Sequence, residues 1–299
     1  MVDFSVHENC KICDQKGVIF FSKKYNDETL KSFFCSYYGQ NKYEKLISKL
    51  ENINYVLLTC NNCQFVWQKY SPINEFSNEL YENIIDKSES FKKSNQKFLK
   101  SRDRNKLEID LIFEYFKRNV KILDFGAGWG HWLKSNSNKM IDTFAFEVSS
   151  SRKKYLKENN LKILNLDDLQ NYSGFFDYIR FDQVLEHLDN VNDVLSVLKK
   201  ISNPKCILFV SVPDGSKVIN TKKIDSIGKG PIQPLEHLNC FNRFSLKRLF
   251  EKHGFVQISL FETFLINLKN FRFNLRSIKL FLNDLKNHFF STTIKFKIK

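Results

Sequence analysis

An acid followed by glycine at every second position makes up the segment Asp124-Phe-Gly-Ala-Gly-Trp-Gly130, and that spacing has chemical content. A strand ending in Asp124 that turns through Gly126, Gly128 and Gly130 lets the backbone come close to a ligand, because glycine accepts positive φ and has no Cβ in the way. A helix after the turn would present free N–H groups to polar ligand atoms. Position 131 is His131, so the pattern is D-x-G-x-G-x-G and not the G-x-G-x-x-G of a pyrophosphate cradle. A carboxylate at the strand end repels a pyrophosphate and suits a ligand with cationic amino and sulfonium groups. Glu147 closes the next strand about twenty residues on, where an acid accepts hydrogen bonds from ribose hydroxyls. The competing reading is a tight turn with no ligand.

Two C-x-x-C pairs, Cys10-Lys-Ile-Cys13 and Cys60-Asn-Asn-Cys63, carry a different chemistry. A two-residue spacer lets both sulfurs of a pair reach one ion, and four thiolates suit tetrahedral, structural zinc. Cys35 lies between the pairs as a weaker alternative ligand. The competing reading is unrelated buried thiols. A redox dithiol fits less well, since neither pair sits at the strand-to-helix turn of a βαβ unit.

Two histidines each follow a glutamate, in Glu186-His187 and Glu236-His237. Deprotonating a hydroxyl or carbon acid near neutral pH calls for a base, and histidine is the natural candidate. Both pairs lie beyond strands, and ligands of open α/β sheets gather at the carboxyl ends of strands. A capping or structural role is the alternative for each ring.

The elements that must position these residues form an alternating pattern. Val120–Leu123, Thr143–Glu147, Leu161–Leu166, Phe176–Phe181, Cys206–Val212 and Phe255–Leu260 read as strands. Between them, Ser149–Ser151 offer hydroxyls to cap a helix ending at Asn159–Asn160. Val191, Val194, Leu195, Leu198 and Ile201 recur at helical spacing, and Ser245 caps a helix that Gly254 ends. Continuous apolar strands separated by helices mean a parallel sheet covered on both faces. Four zones follow: 1–75 with the paired cysteines, a helical connector 76–118, the α/β zone 119–262, and a basic, aromatic segment 263–299.

The 299 residues suit two units, and 42% hydrophobic residues make a sizeable core. The net charge of +14 fits a polyanion, a membrane surface or an acidic small substrate, and equally a compositional bias toward Lys, Asn, Ile and Phe. The N-terminus lacks a basic stretch followed by an apolar one, and no apolar run approaches a bilayer span, so a cytoplasmic protein is expected. Residues from Leu265 on carry one acid, Asp284, among eight basic residues. Phe273, Ile278, Leu280, Phe281 and Leu285 can share an amphipathic face there. That segment is read either as a docked final helix or as a peripheral membrane contact, a site for an acidic partner, or a clamp over an anionic substrate.

KILDFGAGWGHWL, FAFEVSS and FFDYIRFDQVLEHLDN together resemble the class I S-adenosylmethionine-dependent methyltransferases. The resemblance implies a Rossmann-like α/β fold with a mostly parallel seven-stranded sheet. It also implies that Gly126, Gly128 and Gly130 wrap the methionine and ribose with Asp124 nearby, and that Glu147 binds the ribose. Asn165 and Leu166 would flank the adenine, Asp167 would reach its amino group, and backbone at Phe181 and Asp182 would hold the methionine amine. TCNNCQFVWQKYSPINEFSNELYEN resembles the end of the N-terminal zinc-binding region found ahead of many sugar and polysaccharide methyltransferases. Zinc-containing sugar C-methyltransferases carry a Glu-His pair resembling Glu236-His237, with the histidine as base; this sequence has Pro234 at their tyrosine position. The resemblance spans roughly residues 10–262 and implies a small-molecule acceptor, a nucleotide-linked sugar or glycan precursor, methylated on oxygen or carbon. An RNA methyltransferase gripping nucleic acid through the knuckles and basic tail is an alternative, and a non-catalytic cofactor-binding scaffold another.

Overall fold

The computed structural model describes residues 4–221, 230–268 and 275–299. The chain divides into two units. The larger comprises Ser88–Val184, Asn192–Ser211 and Phe250–Lys299; the smaller comprises the chain up to Lys87 with Leu185–Val191 and Val212–Leu249.

The larger unit is built on strands whose central members are apolar on both faces. These are β1 (Val120–Phe125), β2 (Ile141–Phe146), β3 (Lys162–Leu164), β4 (Phe176–Asp182) and β5 (Ser202–Ser211), followed by β6 (Phe255–Gln257) and β7 (Thr293–Ile298). They form one seven-stranded sheet in the order β6-β7-β5-β4-β1-β2-β3. β1 to β5 run parallel, and β7 inserts antiparallel between β5 and β6. Its helices are α1 (Lys87–Phe116), α2 (Ser150–Glu158), α3 (Leu166–Leu169), α4 (Val191–Ile201), α5 (Arg243–Lys252), α6 (Leu260–Leu268) and α7 (Leu275–Phe290); the first residues of α1 and α4 belong to the smaller unit, as does α5 up to Leu249. Ile109 and Ile112 of α1 pack with Val120, Ile122, Trp132, Tyr178 and Ile207 into the core. Burying each such side chain contributes about 2 kcal/mol.

Four expectations change in this unit. The helix expected after the glycine turn is a single 3₁₀ turn, Leu133–Ser135, because too few residues separate Gly130 from Ile141 to hold a helix and its connections. The strand expected over Phe255–Leu260 stops at Gln257, and Leu260 opens α6. The boundary at 262 is not a boundary: residues 293–298 supply a strand of the sheet, with Phe296 fully buried. The residue capping α5 is Asn242. It accepts from the Ser245 N–H at 2.8 Å, while Ser245 Oγ accepts from the Asn242 N–H at 3.1 Å. Gly254 ends α5 at φ +78°, as its position in the sequence suggests.

The smaller unit holds a four-stranded antiparallel sheet of Val18–Lys24, Asn54–Thr59, Val66–Gln68 and Asn239–Cys240, and a two-stranded pair of Phe4–Val6 with Tyr70–Pro72. Helices Glu28–Tyr38 and Gln40–Leu50 carry Leu30, Phe34, Tyr38, Tyr43 and Leu46 onto Tyr25 and Tyr55 to form an aromatic core. The zone boundary at 75 therefore moves. The unit runs to Lys87 and recruits Asn239–Cys240, which pairs with Val66 and Trp67 from far along the chain. The connector 76–118 is likewise split, its long helix α1 packing with the larger unit.

Candidate functional site

In the larger unit the glycine turn has the backbone its sequence requires, with φ of +79° at Gly126, +57° at Gly128 and +67° at Gly130. The three glycines have different reasons. A Cβ on Gly126 would collide with Val184, and one on Gly130 with Leu156 and Leu161, so these two are packing glycines. A Cβ on Gly128 would meet nothing within 4 Å, so this glycine has open space beside it. With no helix N-terminus behind the turn, Glu147 organises it. Its buried carboxylate accepts from the Gly128 N–H at 2.8 Å and from the N–H groups of Val148 and Ser149 at 2.9 Å, with Arg152 at 3.8 Å. A carboxylate has about four acceptor positions, so three such bonds leave room for one more.

Asp124 is also buried, and it faces Arg180 on the neighbouring strand, Nη1 to Oδ1 3.4 Å. Arg180 also pairs with Asp182 and lies over the Trp132 ring at 5.0 Å. Burial pushes the Asp124 carboxyl up to about 6 against the downward pull of Arg180, and the Asp182 charge adds to the rise. The sequence argument that Asp124 greets a cationic ligand thus needs correcting: its cation is supplied from within by Arg180. Of the two acids on Arg180, Asp182 is the more exposed.

The remaining residues expected around a cofactor are dispersed along the strand ends. Asn165 caps α3 in a reciprocal box with Asp168, its N–H donating to Asp168 Oδ2 at 2.9 Å. Leu166 is an exposed apolar side chain, and Asp167 is exposed beside it. Phe181 is buried, its ring 5.1 Å from Phe125, and Gln183 just past β4 takes φ +56° while its N–H donates to the Ser211 carbonyl at 2.8 Å. An aromatic cluster grips the turn from outside: Phe91 of α1 meets Trp129 at 5.0 Å and Tyr155 at 5.3 Å, and Phe98 stacks on His131 at 4.9 Å.

In the smaller unit the four paired cysteines converge. Their Sγ atoms all lie within 4.8 Å of one another, with Cys13 and Cys60 at 3.6 Å. The two pairs fold alike. Asp14 and Gln64 follow the second cysteines with φ of +62° and +52°, and their N–H groups donate to the Cys10 and Cys60 carbonyls at 2.8 and 2.9 Å. Cys35 is not among the four; its thiol donates to Gln40 at 3.0 Å.

His187 and His237 also come together, ring centroids 4.7 Å apart and nearly perpendicular. Glu186 joins them; one ligand-type atom from each of the three residues lies within 4.8 Å of the others. His187 Nδ1 donates to the Glu236 carbonyl at 2.8 Å and also meets the Tyr81 hydroxyl at 3.3 Å, while His237 Nδ1 donates to the Gly230 carbonyl. Each Nδ1 therefore carries the proton in the neutral ring, and each Nε2 presents a lone pair. The Glu236 carboxylate accepts from Tyr38 and from Gln233, and the Glu236 carbonyl orients His187.

Three residues that sequence reasoning missed build this loop. The buried Gln68 side chain donates to the Gln233 and His237 carbonyls at 3.1 and 2.9 Å and accepts from the Leu235 N–H at 3.3 Å, holding Leu235 at φ +65°. Asn239 donates to the Leu185 and Leu188 carbonyls, which flank His187, at 3.0 and 2.7 Å. Lys11, inside the first cysteine pair, donates to Asn239 at 2.9 Å. A relay thus runs from the thiol cluster to the His187 turn.

A sequence profile of the methyltransferase domain matches residues 97–260, more than half of the chain. The chain belongs to the methyltransferase-domain family. It is a methyltransferase enzyme. Among solved structures, it is similar to an S-adenosylmethionine-dependent methyltransferase from Archaeoglobus fulgidus, at 17% identity and TM-score 0.42, over 72% of this chain and 100% of that one. It is also similar to one from Aquifex aeolicus, at 16% identity and TM-score 0.36, over 48% of this chain and 75% of that one. No curated protein matches the chain. The profile ends before β7, the strand that the sequence also left unmarked.

The methyltransferase's His237 has a measurable signature. Burial lowers its pKa from 6.5 to about 4, the hydrogen bond to Gly230 offsetting only part of the fall. The unfolded chain therefore takes up the proton first as pH drops. Stability tied to this ring is complete above pH 6.5 and is lost as pH falls from there to about 4. The loss is roughly 3 kcal/mol at 1.36 kcal/mol per unit. Denaturant midpoints measured across that window should fall for the wild type and fall less for His237→Gln. Equal slopes would contradict the burial argument.

Proposed function

We propose that this methyltransferase transfers the methyl group of S-adenosylmethionine to a small acceptor, a nucleotide-linked sugar or glycan precursor, with His237 as general base. The observation that carries the reading is the pair of half-buried imidazoles, His187 and His237, each with Nδ1 pinned to a backbone carbonyl and so with Nε2 unprotonated in the neutral ring. A ring held neutral by burial is already in the form that accepts a proton at pH 7. His237 Nε2 would take the proton of an acceptor hydroxyl or acidic C–H, and His187, steadied by Tyr81 and the Glu236 carbonyl, would share that hydrogen-bonding role.

The residues present fit the donor. Gly128 has open space, Glu147 keeps acceptor capacity for ribose hydroxyls, and exposed Leu166 beside Asn165 and Asp167 offers an apolar surface for adenine. Gly126 and Gly130 shape the turn; the Phe181–Asp182 strand end and Asp124 would border the methionine end. S-adenosylmethionine, when bound, supplies a methyl group activated by its positive sulfur. The thiol cluster fits structural zinc. Bonds of about 2.3 Å in a tetrahedron place sulfurs about 3.8 Å apart, against 3.6 Å between Cys13 and Cys60.

The test is an acceptor screen with labelled donor over nucleotide sugars and RNA, wild type beside His237→Ala. Transfer to a nucleotide sugar that falls at least about a hundredfold in the variant, with donor affinity retained, is expected. Transfer to RNA with steep salt sensitivity would overturn the acceptor class. Donor binding with no transfer to any acceptor would make the chain a scaffold, and undiminished transfer by His237→Ala would remove the base.

A further inference from the structure

α7 is amphipathic in the reverse sense. Its Leu280, Asn283, Asp284 and Asn287 face a cavity of about 470 Å³ in the larger unit, which Arg180 and Lys295 also line. Asp284 accepts from Lys295 at 2.7 Å and from Asn267 at 3.1 Å. The polar side of the helix is thus the inner one. Ile278, Leu282, Leu285 and Phe289 follow one another at intervals of four, three and four residues, which is a single stripe along a helix. Ile278, Leu282 and Phe289 are exposed, Leu282 at 57% and Phe289 at 51%, with Phe290 beyond them at 78%. Phe273, expected on this face, lies outside the described residues.

α6 extends the same surface. Its Leu260, Phe261 and Phe264 are exposed, and Phe264 meets Phe281 of α7 at 6.0 Å between ring centroids. An apolar area shared by two helices is larger than the isolated exposed side chains that every protein carries. Its charged border has one sign. Lys279 and Lys286 are exposed beside the α7 stripe, whereas the acid of α7, Asp284, is turned inward and Glu262 of α6 is tied to Lys297 at 2.6 Å.

We propose that this face seats the methyltransferase on an anionic lipid surface, the phenylalanines and leucines entering the headgroup boundary and the lysines pairing with lipid phosphates. Apolar side chains flanked by lysine on one helix face match that partner. A second copy of the chain matches it less well, because its own Lys279 and Lys286 would meet like charges and each chain carries +14. Among the described residues no helix is long and apolar enough to cross a membrane, so the contact is peripheral.

Co-sedimentation with vesicles of phosphatidylcholine mixed with phosphatidylglycerol tests this. The wild type is expected to bind the mixed vesicles at least about tenfold more tightly than pure phosphatidylcholine and to lose affinity as salt rises. Leu282→Glu combined with Phe289→Glu should abolish binding, and Lys279→Glu combined with Lys286→Glu should abolish only the preference for anionic lipid. Each variant's melting temperature establishes that it is folded; these positions are exposed, so folding should survive. No binding to mixed vesicles would overturn the proposal, as would wild-type binding by the folded Leu282→Glu, Phe289→Glu variant. A wild-type dimer that this variant dissociates would assign the face to a second copy instead.

Discussion

Cys60→Ser is expected to remove the metal from the smaller unit and unfold it. The proposed site has four sulfurs within 4.8 Å, from two pairs folded to the same pattern, and serine offers no thiolate to complete the tetrahedron. Binding of structural zinc is worth on the order of 10 kcal/mol in small metal domains, comparable with the whole stability of a domain of this size. The damage should not stop at the knuckles. Cys60 and Cys63 precede Val66–Gln68, and Gln68 holds the Gln233–His237 loop. Lys11 holds Asn239, which in turn holds the carbonyls on either side of His187. Metal content should fall from about one zinc per chain to none, transfer should be lost, and cooperative unfolding of the smaller unit should disappear from the melting curve. Donor binding should persist, since the glycine turn lies in the larger unit. A Cys60→Ser protein with wild-type melting and metal content would sink the four-thiolate site.

Glu147→Ala should weaken S-adenosylmethionine binding by about a hundredfold or more. Two losses coincide. The N–H groups of Gly128, Val148 and Ser149 lose their acceptor, at roughly 1–3 kcal/mol for each donor left buried without one. The proposed acceptor of the ribose hydroxyls goes with it. Glu147→Gln keeps a carbonyl oxygen but loses the charge and half of the acceptor capacity, so it should fall between. Asp124→Asn should be milder, because Arg180 keeps Asp182 as its ion-pair partner. Calorimetric titration of the donor into the three variants orders them, and an unchanged affinity for Glu147→Ala would remove that residue from the site.

The order of the first five strands, the glycine turn and the four cysteines could be read along the chain because each depends on neighbours close in sequence. Buried parallel strands are continuous apolar runs, positive φ favours glycine, and a knuckle is a local spacing. Where the expectation failed, the deciding contact was distant. TIKFKI at 293–298 follows a helix and carries two lysines, and only pairing with Leu208–Ser211 and Phe255–Gln257 makes it a strand. The helix expected after Gly130 gives way to one 3₁₀ turn, and Glu147 takes over the donor it leaves. A charged Arg180 among buried strand residues between two acids was the visible sign of an ion-pair chain, but the register of β1 on β4 is what sets it against Asp124.

By itself, then, the sequence determined an α/β chain with a glycine turn, an acid closing the second strand, two cysteine pairs and two Glu-His pairs, because those features reside in short spacings. Only the tertiary structure decided that Glu236 serves His187 through its carbonyl, that Gln68, Asn239 and Lys11 position the histidine loop, and that α7 turns its polar side inward. Each of these joins residues far apart in the chain, and hydrogen-bond partners at that separation leave no periodicity to read. The glycine turn shows the division most clearly: three glycines were legible as one motif, and packing sorted them into two that fill space and one, Gly128, that leaves it open.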